Sequence, residues 1–343
     1  MDNSVYTRMR ASNHYIREYF NLLPLTNSES NENTDYTYDS LETLIKQTWN
    51  IYGVSSLFGF DYNNERQLKL YSKRLREEIA SILPQDNVTY DVNFTIDKNI
   101  SPRPIVTDSP AIRIEIHAKA VDKETMKKCI YTGVLLSWRT EIVELDHDKS
   151  VKLPLLLCKG TKSTMAAVHL TLNNMFDCLI VALPATEDDF KWLVPIILQP
   201  NNNEEISSMK GQIKFDYKFP GSLASNIITI PYDISNLTEI WNCICDNDAN
   251  TTDANTGNGI SLKHVERFHQ VLQHQMLHGS GMQLGLGLLS KISLPSLTIM
   301  ENRMKAGTSE VLNKILLYFN DKSIEVLHKL NLDSTVGTNS IAS

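Results

Sequence analysis

The sequence predicts an α+β fold with a largely antiparallel β-sheet. Residues 111–121, AIRIEIHAKAV, alternate apolar and polar side chains, which is typical of a strand with one buried face and one wet face. Residues 64–83 instead repeat their apolar side chains at helical spacing. Strands come in blocks and helices are interposed irregularly, and this order favours α+β over a regular alternation of strands and helices.

Two helices are predicted before the sheet, and together they form an N-terminal helical segment. The first spans about 40–53, where Gly53 is well placed to end it. The second spans about 64–83 and ends before Pro84, because proline cannot continue a helix without losing a hydrogen bond.

The remaining elements are predicted from the same two patterns, strand-like alternation and helix-like spacing of apolar residues. Strands are predicted at 88–97, 111–121, 128–139, 151–158, 178–184, 212–219, 226–231, 282–294 and 296–302. Helices are predicted at 164–176, 187–194, 233–245 and 260–278, and a final amphipathic element at 308–330. The strand at 178–184, CLIVALP, is predicted to be buried because it is almost entirely apolar.

The same pattern divides the chain into regions. We expect a flexible segment at 1–39, a helical region at 40–87, a sheet domain at 88–330 and a flexible tail at 331–343. Within the sheet domain, the polar stretch DNDANTTDANTGNG at 246–259 cannot supply a core, so we expect a disordered surface loop there.

Composition limits the class of protein. The 343 residues are 42% hydrophobic and carry a net charge of −7. This charge argues against a free-standing nonspecific DNA-binding domain, which is usually basic, but it permits a local basic patch. Five cysteines, an odd number, fit reduced thiols inside a cell. Without an apolar stretch of membrane-spanning length or a signal-peptide centre, we expect a soluble cytosolic or nuclear protein.

One turn has a partial likeness to a nucleotide site. Residues 158–164, CKGTKST, follow a strand and precede a helix, as a phosphate-binding P-loop does. However, Leu155 stands where that motif needs its first glycine, and Thr161 separates Gly160 from Lys162, so an ordinary strand–turn–helix is favoured. The sequence predicts no catalytic residue, no metal site and no cofactor.

A basic stripe runs along the helix at 64–83, on the side opposite its apolar residues. Such a stripe is ordinarily a solvated face flanked by glutamates. If lysines near the strand ends join it, the set forms a groove for nucleic-acid phosphates. The candidate DNA contacts are Arg66, Lys69, Lys73, Arg76, Lys159 and Lys162.

The segment 311–319 holds seven large apolar residues in nine positions, more than one half-buried face needs. Either this element lies in the middle of the sheet, or its second face meets a partner. The candidate partner-interface residues are Leu312, Ile315, Leu316, Leu317, Tyr318 and Phe319.

Three stretches carry a resemblance to a known family. Residues 44–75 read LIKQTWNIYGVSSLFGFDYNNERQLKLYSKRL, residues 153–183 read LPLLLCKGTKSTMAAVHLTLNNMFDCLIVAL, and residues 265–279 read VERFHQVLQHQMLHG. In order and type they resemble the centromere protein L family. The resemblance covers most of residues 40–320 and is weakest over 185–260.

The resemblance implies a non-enzymatic scaffold subunit of the constitutive inner kinetochore, located in the nucleus at the centromere. It implies a curved antiparallel sheet and a heterodimer with centromere protein N through the C-terminal region. It further implies contact with other inner-kinetochore subunits and, through the complex, with the centromeric nucleosome and linker DNA, but with no membrane. Two alternatives stay open: a nucleotide-using enzyme built on the turn at 158–164, and an adaptor that contacts only protein.

Overall fold

The computed structural model describes residues 41–83, 88–100, 103–120, 127–139, 150–199, 211–219, 227–249 and 260–338. They form two compact units. The larger unit contains the described residues of 41–184 and 302–338, and the smaller unit those of 185–301. The predicted segment at 1–39, the end of the tail and the predicted loop beyond Ala249 lie outside the described residues.

The strands of the described chain are β1 (Trp49–Val54), β2 (Leu57–Phe58), β3 (Val88–Ile96), β4 (Ile112–Ala120), β5 (Lys128–Leu136), β6 (Ser150–Val151), β7 (Leu155–Gly160), β8 (Ile180–Ala182), β9 (Gln212–Lys218), β10 (Ile227–Asp233), β11 (Leu288–Leu294), β12 (Leu297–Met300) and β13 (Arg303–Ala306). The α-helices are α1 (Glu65–Ile82), α2 (Lys162–Phe176), α3 (Glu187–Leu198), α4 (Ile234–Ala249), α5 (Leu262–Ser280) and α6 (Ser309–Thr338).

Antiparallel pairing builds the sheet of the larger unit. Its strands follow the order β13–β1–β7–β5–β4–β3, and β8 also pairs with β1. The central strand β1 joins distant parts of the chain, because Asn50 pairs with Cys158 of β7 on one side and with Arg303 of β13 on the other. At the far edge, β3 and β4 pair along nine residues, and β2 pairs separately with β6.

Both faces of this sheet are covered near β1 and β7. Alternation along β7 directs Leu156 and Cys158 into one core, together with side chains of α1 and α2. Leu155 and Leu157 point to the opposite face and are fully buried as well. On that second face, Ser323 of α6 donates a hydrogen bond to the carbonyl oxygen of Pro154 at 2.6 Å.

The smaller unit contains antiparallel strands in the order β10–β9–β11–β12. The helices α3, α4 and α5 pack with them around buried aromatic residues, including Phe215 of β9 and Phe268 of α5. His269 Nε2 donates to the carbonyl oxygen of Lys191 at 3.0 Å, which ties α5 to α3. Thr186 and Asp189 form the predicted capping box at the start of α3.

The predicted α+β class with a largely antiparallel sheet is confirmed. The helix predicted at 64–83 and the strands predicted at 88–97 and 111–121 agree with α1, β3 and β4 within one or two residues. The division of the chain into regions at 39, 87 and 330 stays a prediction.

Three predicted elements are wrong. Residues 49–53 of the helix predicted at 40–53 belong to β1, because pairing on both edges of this strand overrides the helical pattern. The strand predicted at 178–184 is shorter, because only 180–182 form β8, and it is half-buried rather than buried. The strand β8 pairs with the second half of β1 and β13 with its first two residues, so β8 has room for only three residues. The helix α4 continues to Ala249, so the loop prediction is wrong for 246–249, and α6 likewise continues to Thr338 within the predicted tail.

Candidate nucleic-acid interface and partner surface

The helix α1 carries four of the candidate DNA contacts. It begins after Asn64, whose side chain accepts a hydrogen bond from the backbone N–H of Arg66 at 3.0 Å. Glu65 lies in its first turn, where a negative charge is favourable. Leu68, Leu75 and Ile79 are buried and anchor one side of the helix in the core.

Aromatic residues fix the position of α1. The ring of Tyr71 lies 5.5 Å from that of Phe60 and 5.0 Å from that of Phe176, measured between centroids. Its hydroxyl also donates to the carbonyl oxygen of Gly59 at 2.9 Å. In the next residue, Ser72, Oγ accepts from the backbone N–H of Phe94 at 3.1 Å, which attaches α1 to the edge strand β3. The opposite side of the helix is therefore presented in a fixed orientation.

That opposite side is a basic face, which we define as Arg66, Lys69, Lys73 and Arg76. All four side chains are exposed. Lys69 forms an ion pair with Glu65 at 2.9 Å, and Lys73 lies 3.9 Å from Glu77. Exposed pairs at this spacing contribute little to stability, because water screens both charges. These lysines can therefore exchange their glutamate partners for phosphates at little cost.

Further charge lies beside the Arg76 end of the basic face. Asp91 of β3 pairs with Lys127 at 2.7 Å and faces His117 across the β3–β4 ladder. The hydrogen bond from Lys127 lowers the pKa of Asp91 most, and the charges of Lys127, His117 and Arg76 add to this effect. Arg76 therefore lies near Asp91, which Lys127 already binds.

Arg74 is an exposed cation of α1 that the sequence reasoning missed. Arg74 directly follows Lys73, so its side chain points about 100° away from that of Lys73 around the helix axis. It therefore lies outside the side of the helix that the four candidates share. A list of every lysine and arginine in the predicted helix would have included it.

The other two candidate DNA contacts do not join the basic face as a group. Lys159 Nζ donates to Gln47 Oε1 and lies 5.2 Å from the centre of the Trp49 ring. Alternation along β7 directs Lys159 to the face opposite Cys158, away from α1 and α2. Lys162 is exposed in the first turn of α2. Lys159 therefore lies on another face of the sheet from the basic face, whereas a contribution of Lys162 to that face stays a prediction.

The turn at 158–164 is organised as a helix cap. Thr161 Oγ accepts from the backbone N–H of Thr164 at 3.2 Å, which satisfies a donor that a phosphate would otherwise use. A side chain at Gly160 would place its Cβ 2.8 Å from the carbonyl oxygen of Ile130. Packing between strands therefore explains this glycine without a ligand.

The apolar segment of α6 is core, not surface. The six candidate partner-interface residues, between Leu312 and Phe319, are at most 8% exposed. The helix is further fixed by Asn320, whose side-chain oxygen accepts from the backbone N–H of Trp138 at 2.9 Å, and by Asn313, which accepts from the indole N–H of Trp138 at 2.8 Å. The expected exposed partner surface at 312–319 is therefore wrong, because the chain covers both sides of this segment.

Exposed apolar side chains occur farther along α6. Ile324 is 48% exposed and Leu330 is 40% exposed, although Leu327 between them is buried. We call Ile324 and Leu330 the distal face of α6. Neither residue was among the sequence candidates, because apolar residues are denser in the segment 311–319 that precedes them.

The comparison with protein families decides the family. The family model described as centromere protein L matches residues 43–325, which is most of the chain. The chain belongs to the centromere protein L family. Among curated proteins, none matches the chain.

Membership in the centromere protein L family implies a role at the centromere or kinetochore, in the nucleus. The match begins at the turn before β1 and ends within α6, so it includes α1 with its basic face. Within the described residues, none of the helices combines the length and apolar character needed to cross a bilayer.

Proposed function

We propose that this chain is a non-enzymatic scaffold subunit of the constitutive inner kinetochore. It pairs with centromere protein N and helps to hold the centromeric nucleosome and its linker DNA. The observation that carries the proposal is the family match over 43–325, which includes an exposed and rigidly supported basic helix face.

The chemistry of the basic face supports a phosphate contact. Lysine and arginine bind nucleic-acid phosphates without reading sequence, and neutralising each phosphate releases counterions. The core packing of Tyr71 and the bond between Ser72 and β3 hold the basic face before any ligand arrives. Such a fixed surface loses little conformational entropy on binding.

For the partner, the distal face of α6 replaces the buried segment at 312–319. A helix whose apolar side chains are exposed in one or two successive turns suits docking into an apolar groove of another protein. Ile324 and Leu330 lie six positions apart, about 9 Å along the helix axis and about 120° apart around it, so they flank the buried Leu327 on its two sides. We assign centromere protein N to this face.

Charge reversal tests the DNA contact. In the assembled complex with centromere protein N, Lys69→Glu with Lys73→Glu should weaken retention of linker DNA at least tenfold at moderate salt. The matched control is Lys152→Glu with Lys305→Glu, which makes the same charge change at two exposed lysines away from α1. Equal retention by both double variants and the unmodified complex would favour the adaptor that contacts only protein.

Surface substitutions test the partner contact. Ile324→Glu with Leu330→Glu should abolish co-purification with centromere protein N and leave the melting temperature unchanged within about 2 °C, because both side chains are already exposed. The control is Leu286→Glu, which alters a side chain that is 62% exposed in the smaller unit. If the double variant still co-purifies fully, the partner binds elsewhere.

The nucleotide-using alternative is tested by thermal melting. Millimolar ATP or GTP should leave the melting temperature unchanged, because Thr161 already caps the helix that a phosphate would need. A rise of several degrees with either nucleotide would revive the enzyme hypothesis.

A further inference from the structure

Three soft donor atoms meet inside the larger unit, between β7 and α2. Cys158 Sγ lies 3.7 Å from Met165 Sδ and 3.7 Å from His169 Nε2. Cys158 is fully buried, Met165 is buried and His169 is half-buried. Met165 and His169 are four residues apart on α2, so they share one side of the helix and face the end of β7 together.

These distances suit two ligands of one metal ion. Metal–sulfur and metal–nitrogen bonds of roughly 2.3 and 2.0 Å, at angles near 110–120°, place two ligand atoms about 3.5–4 Å apart. The Cys158–Met165 and Cys158–His169 separations both fall in this range. The two separations are therefore compatible with Cys158 sharing one ion with each of the other two side chains.

Charge selects the class of ion. Thiolate and thioether donors favour Cu(I) over hard cations. A Cu(I)–thiolate unit is electrically neutral, whereas a divalent ion would leave a positive charge in a buried site, which is costly. Among the described residues, no group of three or more histidine, cysteine or carboxylate side chains could hold a metal ion, so a site here depends on the thioether of Met165 as its third donor.

The imidazole of His169 can bind an ion as it stands, whereas the thiol of Cys158 must first lose its proton. Burial lowers the pKa of His169 to about 4, so its imidazole is neutral at physiological pH and can donate a lone pair. Burial raises the pKa of Cys158 to about 12, so the metal-free site holds a thiol. Binding must therefore displace one proton.

Neighbouring groups already orient the donors. Asn50 Nδ2 lies 3.6 Å from Met165 Sδ and donates to the carbonyl oxygen of Cys158 at 3.1 Å. The ring of Tyr52 packs edge-on against His169 with 4.5 Å between centroids. The buried hydroxyl of Tyr131 lies over Gly133, the cross-strand neighbour of Cys158, and interacts with the Cys158 thiol. Supporting contacts of this kind tune metal sites.

We propose that Cys158, Met165 and His169 form a binding site for one Cu(I) ion. The S–H bond of Cys158 breaks as the copper–sulfur bond forms, the proton leaves to solvent, and no group is oxidised or reduced. The ion would tie β7 to α2 and stabilise the folded chain. This inference does not depend on the proposed kinetochore function.

The test is anaerobic titration of the reduced full-length chain with Cu(I) against the chromophoric chelator bicinchoninate, together with thermal melting. We expect one equivalent to be retained and the melting temperature to rise by several degrees. Cys158→Ser should abolish the retained equivalent and the rise. Met165→Leu conserves side-chain volume and should weaken Cu(I) binding at least tenfold. If Cys158→Ser fails to fold, this second variant still tests the site.

Two controls separate this site from other thiols. Cys178→Ser removes another buried thiol, whose contacts are Leu172 and Asn173, and should bind copper like the unmodified chain. Cys243→Ser with Cys245→Ser removes the C-x-C pair and should also retain the equivalent. The proposal is overturned if the unmodified chain retains no copper, if Cys158→Ser and Met165→Leu bind normally, or if the retained equivalent is lost with Cys243 and Cys245.

Discussion

Gly53 of β1 lies directly beneath α6, where the two backbones approach closely. A Cβ at this position would lie 2.7 Å from Ser323 Oγ, which is itself held by its bond to Pro154. We expect Gly53→Ala to reduce the free energy of unfolding by about 1–3 kcal/mol, because either Ser323 or the whole helix must move. Urea denaturation followed by circular dichroism measures the change.

Gly279 is a control glycine, and its replacement by alanine should change the free energy of unfolding in the opposite direction. Gly279 of α5 has helical backbone and open space where a Cβ would lie. Gly279→Ala should therefore stabilise the chain by about 0.4–1 kcal/mol. Equal effects of the two substitutions would show that the close approach of β1 and α6 does not limit side-chain size.

Asp108 gives a pH-dependent prediction. Its carboxylate accepts hydrogen bonds from Ser137 Oγ at 2.7 Å and from Arg139 Nε at 2.9 Å. Burial alone would raise the pKa of Asp108, but the bonds from Arg139 and Ser137 outweigh it and hold the pKa below the ordinary value of 3.8. A depressed pKa in the folded state gives stability above the ordinary pKa, and this stability is lost as the pH falls through the folded value.

We expect Asp108→Asn to lower the free energy of unfolding by about 1.5–3 kcal/mol at pH 7. The difference from the unmodified chain should shrink as the pH falls below 3.8, because the unmodified carboxylate then becomes protonated. Urea unfolding at pH 7 and pH 3 measures both values. Asp91→Asn is the control, since its exposed pair with Lys127 should contribute less than about 1 kcal/mol at either pH.

At the scale of elements, α1 should act as a purely electrostatic contact. Each phosphate neutralised on duplex DNA contributes about 0.9 to the slope of log affinity against log salt concentration. Replacing Lys69 and Lys73 by glutamine in the assembled complex should therefore reduce the magnitude of that slope by about 1.8 if each contacts one phosphate. Fluorescence anisotropy over a salt series measures it, and an unchanged slope with weaker binding would indicate an indirect effect.

Periodicity found the elements whose partners are near in sequence. The helix α1 and the β3–β4 hairpin were predicted within one or two residues because their patterns are local. The strand β1 was misread as helix because its pairing partners, Cys158 and Arg303, are more than 100 residues away. A short window cannot contain such contacts, although Trp49, Ile51 and Gly53 do alternate as a strand requires.

The candidate sites show the same limit. The exposure of the basic face followed from helical spacing alone, since one side of α1 had to enter the core. Whether 312–319 faced a partner or the chain itself depended on contacts with Trp138 and Pro154, which no pattern encodes. Lys159 and Lys162 were grouped because they are close in sequence, but strand alternation directs Lys159 to the face away from α2.

At the scale of the whole molecule, the net charge of −7 opposes binding to a polyanion, although the basic face favours it locally. Long-range repulsion acts on every approach to DNA and is screened over about 8–10 Å at physiological salt. Tight binding therefore needs positive charge from a partner next to the basic face.

We accordingly expect the isolated chain to bind duplex DNA at least tenfold more weakly than its heterodimer with centromere protein N, because the partner must supply the missing positive charge. The heterodimer should also lose affinity steeply between 50 and 200 mM salt, by about a thousandfold if at least six phosphates are contacted. Anisotropy titrations of both species with one linker duplex measure the difference. Equal affinity with and without the partner would mean that the basic face is sufficient by itself and that the acidic remainder of the chain is too distant to oppose it.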